Sequence, residues 1–143
     1  MNGMSLIVKK VTQLMAGIIF LYGVYIMLHG HLTPGGGFAG GTIVAGSFIL
    51  LIVANGIRVF GLHREEQLSS AAESIAILVF LLLATAGMLM GAMWFFRNYL
   101  PHGTPGNIAS AGVIPIYNLV VGTEVAAALL TIFLGFVIFK AED

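Results

Sequence analysis

VTQLMAGIIFLYGVYIML (11–28), HGHLTPGGG (29–37) and FAGGTIVAGSFILLIVANGI (38–57) follow one another in the first half of the chain, and they decide the fold. The outer two segments carry no charge over 18 and 20 residues. A hydrocarbon core about 30 Å thick takes about 20 apolar residues of helix to cross, so each is long enough to span it. The segment between them holds Pro34 and three consecutive glycines. Proline lacks an amide proton and glycine tolerates most backbone angles, so a tight turn between two helices is expected. Lys9 and Lys10 precede the first run, as in a signal peptide. The run exceeds the roughly 7–15 residues of a signal core and no small-x-small cleavage site follows, so a retained helix is expected.

Working outward, the rest of the chain reads the same way. Hydrophobic residues make up 59% of the 143 positions and charged residues 8%, with a mean hydropathy of +1.03. A soluble domain carries charge at about 25% of positions to hold its surface in water. The bilayer is the solvent that fits this composition. A polar connection, 58–70, leads to a third span over 71–96, whose end, Trp94-Phe95-Phe96 before Arg97, has the character of an interfacial anchor. A connection with Pro101, Pro105, Gly106 and Pro115 leads to a fourth span over 118–139, closed by Lys140 and Glu142-Asp143. The expected fold is all-α: one integral membrane domain over 1–143 with four transmembrane helices. Four spans put both termini and the middle connection on one side. That side holds Lys9, Lys10, Arg58, Arg64 and Lys140, against Arg97 alone on the other. Lys and Arg gather in the cytoplasm, so both termini are expected there.

Several functions are excluded. The chain has no cysteine, which removes disulfides and Cys-ligated zinc or iron–sulfur centres from it. Net charge is zero and no basic run offers a nucleic-acid surface. No nucleophile–base pair, cofactor fingerprint or metal-ligand cluster is present, so no enzyme, cofactor or metal is expected of this chain. The glycines do not form a phosphate loop, because a Walker loop needs Gly-Lys-Ser/Thr and no lysine occurs between Lys10 and Lys140. Packing explains them better. Gly37, Gly41 and Ala45 recur every four residues, with Gly36 and Gly40 beside them. Small residues at that spacing make a groove in which another helix approaches closely.

The run from Gly30-His31 through Pro34-Gly35-Gly36-Gly37-Phe38 to Gly40-Gly41 closely resembles the signature of the B subunit of multisubunit Mrp-type sodium/proton antiporters. Chain length and four-span layout are similar too. Leu32 and Thr33 stand where Asn and Ala are usual in that family. The resemblance implies a small subunit of a hetero-oligomer in the cell membrane, with Na+ and H+ as the transported ions and the other antiporter subunits and the lipid bilayer as partners. It also implies an alternative host, because related modules occur in membrane-bound hydrogenase or sulfane-reductase complexes that pump ions by redox chemistry. The long connection 101–117 looks more like those relatives. A further alternative is a structural spacer that docks pumping subunits through the Gly37/Gly41/Ala45 groove.

Within the spans, Glu124 is the first candidate for the ion path. It lies about 7–8 Å into the fourth span counted from Leu119 at 1.5 Å per residue. A carboxylate there must pair, stay protonated or meet water. Ala128, Thr131 and Gly135 continue its face, which points it toward protein, with Thr131 a second polar group on the route. A structural bond to a neighbouring subunit is the competing reading. Glu73 is either a cytoplasmic entry point or, in Ser70-Ala-Ala-Glu73, half of a capping box. His29 and His31 are candidates at the outer mouth, where protonation near neutral pH is available; otherwise they hold the turn. His63 and His102 read as ordinary loop residues. His31-Leu-Thr-Pro-Gly35 is echoed by His102-Gly-Thr-Pro-Gly106, 71 residues on, a weak sign of duplication.

Overall fold

Each apolar run forms one helix in the computed structural model, which describes residues 4–56, 62–90 and 94–142, with the side chains of 62–65 and 140–142 left aside. The helices are α1 (Leu6–Leu28), α2 (Gly36–Asn55), α3 (Leu62–Leu89) and α4 (Ile114–Glu142). All four are long and apolar enough to cross a membrane. Helices are the natural form for such runs, because a lipid-facing amide must find its carbonyl within its own segment. Among the described residues there is no strand. Arg58 lies outside the described residues.

The boundaries differ from the sequence expectation in instructive ways. The first helix begins at Leu6 rather than at 11, with Ser5 capping it: its hydroxyl accepts the Val8 amide at 3.4 Å. Lys9 and Lys10 are therefore in its second turn, where long stems let the ammonium groups reach water. The third helix was expected over 71–96 and runs from Leu62 to Leu89. Glu65-Glu66-Gln67-Leu68 are good helix formers and carry it outward as a polar extension. Ser70 and Glu73 thus sit inside the helix, and the capping box does not form; the Ser70 carbonyl accepts the Ser74 hydroxyl at 3.0 Å. At the other end the chain doubles back. The Phe96 amide donates to the Ala84 carbonyl at 3.4 Å, and Phe96 takes a left-handed φ of 60°. A Cβ on Gly87 would lie 3.1 Å from both the nitrogen and the oxygen of Arg97, so the returning segment lies directly on that glycine. Trp94-Phe95-Phe96 belongs to this turn and does not end the helix. The fourth helix starts at Ile114, four residues early, because Pro115 falls in its first turn, where no amide is needed.

Packing across the bundle runs α1–α2–α4–α3, with α1 also touching α4. The glycine helix α2 is the middle layer because both of its sides are bare. Toward α1, a Cβ on Gly40 would lie 2.8 Å from the Gly23 carbonyl oxygen. Toward α4, a Cβ on Gly41 would lie 2.5 Å from the Gly122 carbonyl oxygen, and one on Gly37 would meet the Asn118 carbonyl. Ala45 continues this side and is buried. The groove expected to receive another subunit is therefore filled by α4 of the same chain. Phe38, 68% exposed, points away from it.

Two loops close one end of the bundle. Gly35 and Gly36 take φ of 146° and 80°, which L side chains rarely adopt, so the Pro34 turn needs glycine at both positions. The loop after α3 is held by Asn98, whose Oδ1 accepts the amides of Leu100 at 3.3 Å and of buried Val113 at 3.1 Å. The first His-x-Thr-Pro-Gly copy touches the residue that follows the second: His31 Nε2 lies 3.3 Å from the Asn107 carbonyl. Their surroundings differ. α2 starts directly after the first copy, whereas α4 starts eight residues after Gly106.

Candidate functional site

The seam between α3 and α4 holds Ser69, Glu124 and Thr131. Its register is antiparallel and set by two contacts. Near the termini, the Ser69 hydroxyl donates to the Ala127 carbonyl at 2.8 Å. Thr131 Oγ1 lies 2.9 Å from both Ser69 Oγ and that carbonyl, and its single proton serves one of them at a time. Toward the loop end, the rings of Phe80 and Tyr117 meet edge-on with centroids 5.4 Å apart. Between these contacts lies a cavity of about 230 Å³, lined by Ala76, Ile77 and Phe80 of α3 and by Val120, Val121 and Glu124 of α4.

Glu124 is the one charged group in that lining. It is half-buried, and no donor among the described residues reaches its carboxylate. The next polar side chain on α4, Thr123, is turned outward and returns its hydroxyl to the Leu119 carbonyl at 2.9 Å. A carboxylate walled by alanine, isoleucine, phenylalanine and valine has three ways to lower its free energy: take up a proton, bind a cation or draw in water.

The other candidates fall at different heights. Thr131 is on the Glu124 stripe, seven residues along, so about 10 Å nearer the termini at 1.5 Å per residue; its hydroxyl serves the Ser69–Ala127 contact. Counting between the two register contacts puts Glu73 level with Glu124 on the facing helix, also half-buried. His29 and His31 are at the loop end, away from the cavity. The His29 ring stacks on Tyr25 with centroids 4.1 Å apart, and its Nδ1 lies 3.1 Å from the Tyr25 carbonyl. His31 Nδ1 is enclosed without a protein partner. The two histidines are thus held by separate partners. No group of three His, Cys, Asp or Glu side chains suited to a metal occurs among the described residues. His102 lies on the Asn98 amide, its Nε2 3.0 Å from Nδ2. The side chain of His63 lies outside those described.

Phe80, Tyr117 and Ser69 were not singled out from the sequence, although one signal was available. Tyr117, Glu124 and Thr131 are each seven residues apart, two helical turns, and so share one stripe. The facing residues on α3 carry no such mark, because register between helices is not written in either one.

Comparison with known proteins agrees with this architecture. Residues 7–131 match the family described as "Domain related to MnhB subunit of Na+/H+ antiporter". An uncharacterised protein of Methanocaldococcus jannaschii is 35% identical over 130 residues, 87% of this chain and 49% of its own. The B subunit of the Bacillus subtilis Na+/H+ antiporter is 33% identical over 104 residues, 68% of this chain and 64% of its own. Among solved structures, a chain of the membrane-bound sulfane sulfur reductase, an archaeal respiratory membrane complex, superposes with a TM-score of 0.77 at 30% identity, over 94% of this chain and 59% of that one. This chain therefore spans about half to two thirds of the length of the relatives it matches.

Proposed function

The chain belongs to the MnhB-related family of Na+/H+ antiporter subunits, and on that premise we propose that it is a small membrane subunit of a multisubunit cation/proton antiport module in which Glu124 holds the ion in passage. The observation that carries the reading is the Glu124 carboxylate in the wall of an otherwise apolar cavity in the α3–α4 seam. An ionisable side chain in a span is expensive and is kept where it does something. Exchange of a proton for a cation at one carboxylate also couples the two opposed fluxes: either occupant neutralises the charge, and both together are excluded. Glu73, level with it on the facing helix and eleven residues inside α3, is a second carboxylate at the same depth rather than a group at the mouth. The side of the termini is cytoplasmic, since it holds five of the six Lys and Arg residues.

The partners are the remaining subunits of the module. A redox-driven host is favoured by one observation, the superposition over 94% of the chain on a subunit of a respiratory complex. Such a host leaves the role of this chain unchanged and alters what drives it. The experiment is Glu124→Gln in the native complex. Purification in mild detergent reports assembly and the identity of co-purifying subunits, and inverted vesicles report cation-driven proton movement. The reading requires an assembled complex that has lost exchange. An assembled complex that exchanges at the wild-type rate makes Glu124 a structural residue.

A further inference from the structure

The cavity beside Glu124 is half open, and the opening has a direction. Val121 gives it. A Cβ on Gly37 of α2 would lie 3.1 Å from the Val121 Cβ, so Val121 stands on the side of α4 that turns toward α2. The same valine lines the cavity, together with Ile77 of α3, which is 51% exposed. Among the described residues α2 and α3 do not touch, although both pack on α4. The cavity therefore opens into the angle that α3 and α2 make across α4. Toward the termini the floor of that angle stays low. Ala128 and Gly135 follow Glu124 on its stripe, and a Cβ on Gly135 would meet nothing within 4 Å. Ile132, about three turns from Val121 and on the same side of α4, is 57% exposed. Small residues along a floor of this kind let another helix come close.

Exposed isoleucines are at ease against lipid and do not by themselves call for a protein neighbour. The carboxylates do. If Glu124 exchanges its proton for a cation, as proposed above, it is ionised for part of the cycle, and an ionised carboxylate in a span needs a counter-charge. Glu73, level with it on α3, receives no donor among the described residues and adds a second acid. This chain has no base to set against them. Lys, Arg and His are absent from 32–57, 65–96 and 103–139, which hold all of α2 and the parts of α3 and α4 around the two acids. Arg97 lies against Gly87, fourteen residues of α3 from Glu73 and so about 21 Å away along the axis. Lys140 is sixteen residues beyond Glu124, about 24 Å.

We propose that the angle between α3 and α2 seats a transmembrane helix of another subunit of the module, which carries a lysine or arginine at the depth of Glu124. Apolar residues of that helix cover Ile77 and Ile132, and its base faces the carboxylate whenever neither proton nor cation neutralises it. Lipid suits the isoleucines and fails the acids, and a second copy of this chain brings no base to that depth. The proposal rests on the reading that Glu124 is ionised during transport, and it adds the partner that stabilises the ionised state.

The test is photo-cross-linking in the native complex, with benzoylphenylalanine in place of Ile77 in one variant and of Ile132 in another, and the joined peptides identified by mass. Counted from the level of Glu124, Ile77 is four residues toward the loops and Ile132 eight toward the termini, about 6 and 12 Å. Both variants should label one helix of one other subunit, at points about twelve residues apart, with a lysine or arginine between them about one turn from the Ile77 point. The same probe at Ile75, 62% exposed and on the far side of α3, should leave that helix unlabelled. If one probe prevents assembly, the other still identifies the helix. Charge reversal then tests the pairing. Glu124→Lys should cut the cross-link yield about tenfold or more, and exchanging the partner's base for glutamate in the same complex should restore it. Labelling of lipid alone, of a second copy of this chain, or of a helix without a base in that interval overturns the proposal. So does a wild-type yield in Glu124→Lys, or a loss that the paired exchange does not restore. The ion reading fails separately: wild-type exchange in Glu124→Gln overturns it, and that assay makes no use of the cross-links.

Discussion

Replacing Gly41 by alanine should destabilise the bundle, and replacing Gly46 on the same helix should not. A Cβ on Gly41 would lie 2.5 Å from the Gly122 carbonyl oxygen, 3.0 Å from the Val125 Cβ and 3.1 Å from the Gly122 Cα. Ordinary contact begins at 3.4 Å, so α2 and α4 must part by up to about 0.9 Å at this point. None of the three obstacles can swing aside, since two are backbone and the third is the branch point of a valine. Overpacking of this kind costs about 1–3 kcal/mol. A Cβ on Gly46 meets nothing within 4 Å. Both changes gain the same helix propensity, about 1 kcal/mol for alanine over glycine, so it cancels in the comparison.

The predicted gap between Gly41→Ala and Gly46→Ala is therefore about 1–3 kcal/mol, or roughly 5- to 150-fold in the folded-to-unfolded ratio. Purified chain in mild detergent, titrated with a denaturing detergent and followed by helical circular dichroism, reads that gap directly. Equal midpoints for the two variants would falsify the assignment of α4 to the Gly37/Gly41 side of α2. A Gly46→Ala variant less stable than Gly41→Ala would mean that the helix is rotated, with another subunit on its Gly46 side.

Two further changes probe how the bundle is pinned. Asn98→Ala removes the acceptor of two amides, one of them on buried Val113, and should cost about 1–3 kcal/mol with faster hydrogen exchange at Leu100 and Val113; unchanged exchange there would dispose of the staple. Ser69→Ala alone should be mild, about 0.6 kcal/mol, because Thr131 still donates to the Ala127 carbonyl, whereas Ser69→Ala with Thr131→Val strips that carbonyl of both hydroxyls and should cost more than the sum of the singles. Strict additivity in a double-mutant cycle would show that the two hydroxyls act independently.

Most of the fold was legible because the bilayer permits few solutions. An uncharged run of 18 or more residues has to be a helix, and the Pro34 and glycine signals mark the turn between the first two. What escaped was the ends. The polar residues 62–69 carry no apolar pattern, yet they continue α3 because good helix formers need no partner to extend an existing helix. Trp94-Phe95-Phe96 looked like the end of the helix because aromatic residues before an arginine commonly are. Only the return of the chain onto Gly87 revealed a turn instead. The Gly37/Gly41/Ala45 spacing announced a close crossing without saying with what, and a groove that fits a partner subunit fits the fourth helix of the same chain equally well. At the candidate site, Glu124 was visible as a charge out of place. Its cavity was not, because nothing in the sequence sets Ala76, Ile77 and Phe80 against it until the register of α3 against α4 is known.

The distribution of glycine then accounts for where such a cavity can exist. The α1–α2 and α2–α4 contacts are made backbone to backbone, through Gly23, Gly40, Gly41 and Gly122, and leave no room for a solvated carboxylate. The α3–α4 seam has no such approach: Gly135 meets nothing within 4 Å, and Gly87 is occupied by the returning loop at Arg97. Side chains alone hold these two helices apart, with paired hydroxyls at one end and three rings at the other. Helices spaced by side chains leave gaps wherever a small residue such as Ala76 faces an acidic one such as Glu124. α3 also packs on α4 alone among the described helices, so this seam is the least buttressed in the bundle and the one able to open without disturbing the others. The role proposed for Glu124 needs a space that water or a cation can enter and leave. The glycine crossings fix three helices together, which leaves α3 as the element whose movement would open that space.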